Sequence, residues 1–264
     1  MWRWFAVWAK GVCTPCPFHS SPVPHAMNAT AGGGGRCAIS AVSRSIFWAR
    51  HPSGLCGAII DLMGSTRNTL VIMARRPRWG CGKQRLAAAL GQGVAWHFQR
   101  VALEALLRRL GGDPRWRLEV AVTPDSFARG SRRWTQGHPM VVQGDGDLGA
   151  RMLHLLAGEH QQRGARLLVG SDIPDIEPSL IAKAFSLLKR HDWVLGPAVD
   201  GGFWAIGTRR RPWRPPDFGG IPWGSATVMA ETSSRLRGSL ALLPSLSDVD
   251  QADDLRQWRR HGPF

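Results

Sequence analysis

From residue 69 onward, short apolar runs alternate with amphipathic stretches. Residues 70–74, 118–122, 140–142, 167–170, 193–195, 203–206 and 240–243 are aliphatic or aromatic runs bounded by Gly, Pro, Asp or Asn, the signature of buried strands. Between them, 3.6-residue spacing predicts helices over residues 93–110, 148–158, 225–237 and 253–260, and one opened by Pro178. Proline suits a first helical turn because its missing N–H would have no partner there. Leu180, Ile181, Ala184, Phe185 and Leu188 then fall on one face of that helix. Strand–helix alternation of this kind predicts a single α/β domain with a mainly parallel sheet.

The first 62 residues follow neither period. They hold "CTPCPFHSSPVPH", a run of four glycines and scattered Trp, which reads as a low-order extension. Met63 stands just ahead of the regular pattern and is a candidate start, with residues 63–264 forming the folded domain. Four of the five cysteines lie in the extension, and Cys13-x-x-Cys16 has no second pair to complete a zinc site. Free thiols suit a reducing cytoplasm. No run reaches the ~18 apolar residues of a membrane span.

The chain of 264 residues has 34 Lys+Arg against 19 Asp+Glu, a net charge of +15. That balance favours anionic partners. The charge is less telling beside 13 Trp, no Tyr and an excess of Arg, Ala and Gly, a bias typical of GC-rich coding sequence. Basic residues are scattered rather than striped, so nucleic acid is not the expected partner. Oligomeric state has no signature here.

Ligands of open α/β sheets bind outside the carboxyl ends of the strands, so the loops leaving strands carry the chemistry. The first, "MARRPRWGCGKQRLA" (residues 73–87), sets Arg75, Arg76, Arg78, Lys83 and Arg85 around glycines. Glycines let backbone N–H groups approach an anion, and a following helix offers its positive end. It is not a Walker loop, since Pro77 and Gln84 occupy positions that need Gly and Ser or Thr. The second, "VVQGDGDLGARM" (141–152), has Asp145 and Asp147 at cation-binding spacing, although Gly-Asp-Gly-Asp is also ordinary turn and N-cap chemistry. Arg151, one turn into the helix, can reach back to a phosphate or to Asp147. The third, "GSDIPDIEP", places Asp172 two residues beyond a strand. Magnesium takes one or two carboxylates together with substrate phosphates, and Asp172 suits that role. Asp175 and Glu177 read as turn and helix-cap residues. The fourth, "GPAVDGGFWAIG" (196–207), turns tightly at Asp200, which could be a base, a ligand or a turn former. Downstream, "SDVDQADDL" carries Asp248 and Asp250, and Asp250 is also a candidate N-cap.

Five motifs in this order resemble the radical-SAM/selenodomain-associated transferases of type 1, the arsenosugar-biosynthesis-type glycosyltransferases. They are "RRPRWGCGKQRL", "QGDGDLGARM", "GSDIPDI", "GPAVDGGFWAIG" and "DVDQADDL", spread over residues 68–258. Departures are Gln84 for the family's Thr or Ser, Ala150 for an acidic residue, and Phe203 for the more frequent Tyr. The resemblance implies the nucleotide-diphospho-sugar transferase (GT-A) fold. It implies that Lys83 and Arg85 meet nucleotide phosphates, with Gly80 permitting close approach and Asp147 and Arg151 on the donor side. Asp172 is implied as the principal ligand of Mg²⁺ or Mn²⁺ and Asp250 as the second. Asp200 is the implied acceptor-side acid or base, and Lys83 also serves catalysis by offsetting leaving-group charge.

The expected function is a metal-dependent glycosyltransferase that moves a sugar from a nucleotide-diphospho-sugar to a small-molecule acceptor. A nucleotidyltransferase of the molybdenum-cofactor or 2-phospholactate guanylyltransferase type, using a nucleoside triphosphate, would need the same residues. A third reading, of another class, is a non-catalytic basic module that binds nucleotides or nucleic acid.

Overall fold

The computed structural model describes residues 68–130, 132–157, 164–210 and 214–261. The 62-residue extension and four of the cysteines lie outside them. Among the described residues, no helix is long and apolar enough to cross a membrane.

The strands are β1 (Asn68–Arg75), β2 (Trp116–Thr123), β3 (Met140–Val142), β4 (Arg166–Gly170), β5 (Trp193–Pro197), β6 (Phe203–Thr208) and β7 (Leu240–Leu242). The helices are α1 (Gln84–Leu90), α2 (Gln92–Gly111), α3 (Leu148–Ala157), α4 (Pro178–Leu187), α5 (Val228–Arg235) and α6 (Ala252–His261). One seven-stranded sheet runs β3-β2-β1-β4-β6-β5-β7. All its pairings are parallel except those of β6, which is antiparallel to both β4 and β5. The expected mainly parallel α/β architecture is what the chain adopts. The expected strands and long helices recur within about two residues, except that α5 is trimmed to Val228–Arg235. The added element is α1, inside the stretch read as a basic loop.

Side chains alternate between the two faces of each strand. Leu70, Ile72, Leu118, Val120, Leu167 and Val169 pack on one face against Leu103, Leu106 and Leu110 of α2 and Ile181, Ala184 and Phe185 of α4. Val71, Met73, Ala121, Leu168 and Ile206 pack on the other, against Leu148, Met152 and Leu156 of α3. Burial on both faces explains why β1 and β4 read as continuous apolar runs.

A third, smaller core joins Leu86 of α1 and Phe98 of α2 to Val249, Leu255 and Trp258. It docks the C-terminal segment beside α1 and so carries residues 248–250 to the loop that leaves β1. Backbone bonds Leu243 N–H to Leu195 O (2.9 Å) and Leu246 N–H to Pro197 O (3.1 Å) hold the approach to that segment. The Trp204 indole N–H adds a bond to the Pro244 carbonyl at 3.0 Å.

Candidate active site

Four loops meet at the edge where β1, β4, β5 and β7 end and the reversed β6 begins. Because β6 runs the other way, the β5–β6 turn lies at this edge. Asp200 shapes the turn by accepting the Gly202 N–H at 2.9 Å. Gly201 has a φ of 86°, and a Cβ there would stand 2.5 Å from the Ala226 carbonyl oxygen. Gly201→Ala is therefore expected to cost about 1–3 kcal/mol, read by urea denaturation. An unchanged midpoint would show that the turn relaxes freely.

Lys83 is the centre of the site. It sits at the N-cap of α1 in the left-handed region (φ 46°, ψ 44°), uncommon for a residue with a side chain. Its side chain is 5% exposed. The ammonium donates to the Val249 carbonyl at 2.7 Å and lies 3.4 Å from Asp172 Oδ2. Its nitrogen also stands 5.5 Å from the Phe98 ring centroid. Burial pulls the Lys83 pKa below its ordinary value, while Asp172, Asp250 and Asp248 oppose that shift. Ser171 Oγ donates to the other Asp172 oxygen at 3.0 Å, which fixes the carboxylate as it leaves β4.

Asp250 is 5% exposed and bound to Arg85 Nη1 at 3.1 Å. Burial, partly offset by Lys83 and Arg85, raises its pKa to about 6. It is not the N-cap of α6, because its own N–H and that of Gln251 both donate to Asp254 Oδ2. Asp248 is raised to about 7, first by burial and then by the charge of Asp200.

A carboxyl whose folded-state pKa is raised contributes stability that is complete below its ordinary pKa and lost as the pH climbs through the raised one. The Asp248 window thus opens above 3.8 and closes near 7. Relative to Asp248→Asn, the wild type should lose about 1–2 kcal/mol between roughly pH 5 and pH 8, after allowance for solvent screening of a part-exposed group. Urea titrations with chelator present would measure it, and a difference that does not vary with pH would contradict the assignment.

Asp172, Asp200 and Asp248 line one cavity of about 70 Å³. The remaining residues expected at the site are placed as follows. Lys83 and Arg85 are at the edge and face carboxylates; Lys83 is buried, whereas Arg85 is part-exposed. Gly80 has a φ of 76°, and a Cβ there would meet nothing; the closely approached glycine is Gly82, whose Cβ would stand 2.6 Å from the Gln99 amide. Asp147 takes the N-cap alternative, accepting the Ala150 N–H at 2.8 Å and the Trp223 indole N–H at 3.2 Å. Arg151 donates to the Gly146 carbonyl at 3.0 Å. Asp145 is exposed. Asp175 is exposed too, and Glu177 pairs with Arg109 at 3.3 Å without capping α4 by its side chain.

A profile of the bacterial family described as DUF2064, uncharacterized protein conserved in bacteria, matches residues 106–225. A crystal structure from Desulfovibrio desulfuricans G20, provisionally described as a nucleotide-diphospho-sugar transferase, is 30% identical to the chain. That match covers 74% of this chain and 87% of the other, with a TM-score of 0.65. The chain belongs to the nucleotide-diphospho-sugar transferase family.

Two further structures match at lower similarity. The 4-diphosphocytidyl-2C-methyl-D-erythritol synthase of Anaerococcus prevotii DSM 20548 is 8% identical, over 75% of this chain and 99% of that one, with a TM-score of 0.45. Molybdopterin-guanine dinucleotide biosynthesis protein A of Archaeoglobus fulgidus is 11% identical, over 74% and 97%, with a TM-score of 0.40. A comparison with curated proteins returns no match.

In this member of the family, Asp248 lines the cavity, while Asp250, expected at the site, turns to Arg85. Residues two apart in a regular extended segment share a side, so the sequence carries no signal that separates Asp248 from Asp250. Asp125 and Gln143 passed unnoticed altogether. Asp125 accepts the backbone N–H groups of Gln143 and Gly144 at 3.0 and 3.1 Å. Buried Gln143 donates to the carbonyls of Ala74 and Ala121. Together they tie the second loop to the ends of β1 and β2.

Proposed function

We propose that the protein is a metal-dependent glycosyltransferase that uses a nucleotide-diphospho-sugar and a small-molecule acceptor. The observation that carries this reading is the meeting of Lys83, Arg85, Asp172, Asp248 and Asp250 at one sheet edge. A purely structural ion pair would not need three carboxylates around one buried ammonium. The narrower likeness to the radical-SAM-associated, arsenosugar-type branch rests on the five ordered motifs and belongs to this proposal.

Among the described residues, no three His, Cys, Asp or Glu side chains could hold a metal ion by themselves. That fits Mg²⁺ or Mn²⁺ held by one or two carboxylates, with the rest of the coordination coming from phosphate and water. Asp172 would be the first ligand and Asp250 the second. The ion would neutralise diphosphate charge when bound. Lys83 stands beside Asp172, whose charge favours its protonated form, so the chain supplies an ammonium that can face a leaving phosphate once the carboxylates are otherwise engaged. Asp200 stands at the cavity mouth, where a hydroxyl acceptor would give up its proton.

The test is a thermal-shift screen of nucleotide sugars and nucleoside triphosphates with and without Mn²⁺, followed by product analysis. At a hundredfold excess over its dissociation constant, a true donor adds about 2.7 kcal/mol of apparent stability. Release of a nucleoside diphosphate supports glycosyl transfer. Release of pyrophosphate would replace this reading with nucleotidyl transfer, and absence of any metal-dependent nucleotide binding would end both.

A further inference from the structure

On the α3 face of the sheet, the core is not filled to the edge. Met73, Leu168 and Ile206 of the sheet and Leu148 and Met152 of α3 surround the 70 Å³ cavity. Each of these walls is 4% exposed or less. The charged side chains on the cavity are Asp172, Asp200 and Asp248, all only partly buried, so the carboxylate end is the one that meets solvent.

Gly170 explains why the space is open. Leu168 and residue 170 fall on the same face of β4, and both line the cavity. A Cβ built at Gly170 would meet nothing within 4 Å. The backbone does not demand glycine, since Gly170 is absent from the positive-φ residues. Gly170 is the last residue of β4, so a side chain there would project at the edge where the site lies. A side chain here would fill the room that the surrounding residues leave.

Size and chemistry restrict what can enter. About 70 Å³ is roughly half of the ~150 Å³ apolar cavity that accepts benzene. Room therefore exists for three or four non-hydrogen atoms. A charged group would lose its hydration against apolar walls, and an anion would in addition face the Asp200 carboxylate. A hydroxyl attached to the buried group would remain at the rim, beside Asp200.

We propose that this cavity is an acceptor subsite for a small, uncharged, apolar substituent, that Gly170 keeps it open, and that the apolar walls together with the Asp200 carboxylate disfavour anionic acceptors. The word acceptor rests on the transferase reading above; the cavity's selectivity does not.

Protein labelled with [¹³C-methyl]methionine carries seven such methyls, two of them on Met73 and Met152. Titration with tert-butanol is expected to move those two signals and leave that of Met140 in place. Pivalate, which has the same shape but ends in a carboxylate, should move neither at equal concentration. Gly170→Val should weaken the alcohol at least tenfold, and Gly170→Ala less, with both variants melting near the wild-type temperature. Equal response to pivalate, still signals with tert-butanol, or unchanged affinity in both variants would overturn the subsite. The titration is repeated with Mn²⁺ and any nucleotide sugar that stabilises the protein. Undiminished alcohol binding supports the acceptor assignment, whereas displacement would give the cavity to the donor. If no nucleotide sugar stabilises the protein while the alcohol still moves the methyls, the transferase reading falls and the cavity's selectivity stands.

Discussion

Lys83→Met is expected to destabilise the protein by about 3–5 kcal/mol, the usual result of removing one partner from a buried ion pair. The ammonium is almost fully enclosed and is the nearest cation to Asp172. Asp248 and Asp250 also act on it. Methionine keeps much of the volume but deletes the charge and the hydrogen bond to the Val249 carbonyl. Three acidic groups would be left with Arg85 as their remaining close cation, on Asp250. Added Mn²⁺ should restore part of the loss, because an ion at Asp172 replaces the missing charge. Urea denaturation with chelator and with Mn²⁺ measures both effects. A cost below about 1 kcal/mol would mean that Asp248 and Asp250 simply take up protons, at little expense, as their raised pKa values make possible.

Asp172→Asn should have the larger effect on activity. If Asp172 is the first metal ligand, as proposed, its loss would remove several kcal/mol of charge stabilisation, which corresponds to a fall of about a thousandfold in kcat/KM. Asparagine is nearly isosteric and can still accept from Ser171 Oγ. The fold should survive, and the Mn²⁺-dependent part of the nucleotide thermal shift should vanish. Asp113→Asn is the matched control, since that side chain pairs with Arg115 and does not line the cavity, and its substitution should leave kcat/KM within severalfold. Full activity in the Asp172 variant, with Mn²⁺ dependence retained, would remove Asp172 from the site.

Legibility differed sharply between kinds of residue. Asp172 and Asp200 could be found because each follows a recognisable strand and precedes a turn, a context that one chain segment defines. The β5–β6 reversal was equally readable, since Asp-Gly-Gly between two apolar runs has few other uses. Lys83 was found for its charge but not for its surroundings. Nothing in "GCGKQRL" reveals that the side chain points inward, because the groups that enclose it come from β4 and from a segment some 165 residues later. The same distance hides the partnership of Arg85 with Asp250. Asp147 illustrates the reverse case, in which a metal-like spacing serves as a helix cap.

The sequence alone determined the strand and helix segments, the parallel sheet they form, and the edge at which the acidic and basic loops gather. Those properties follow from side-chain period and from glycine and proline positions, which act over a few residues. Only the tertiary structure decided that β6 inserts beside β4, that Asp248 lines the cavity while Asp250 pairs with Arg85, and that Lys83 is enclosed among carboxylates. These depend on which distant segments the third core presses together, and burial sets the charge chemistry only after that packing exists.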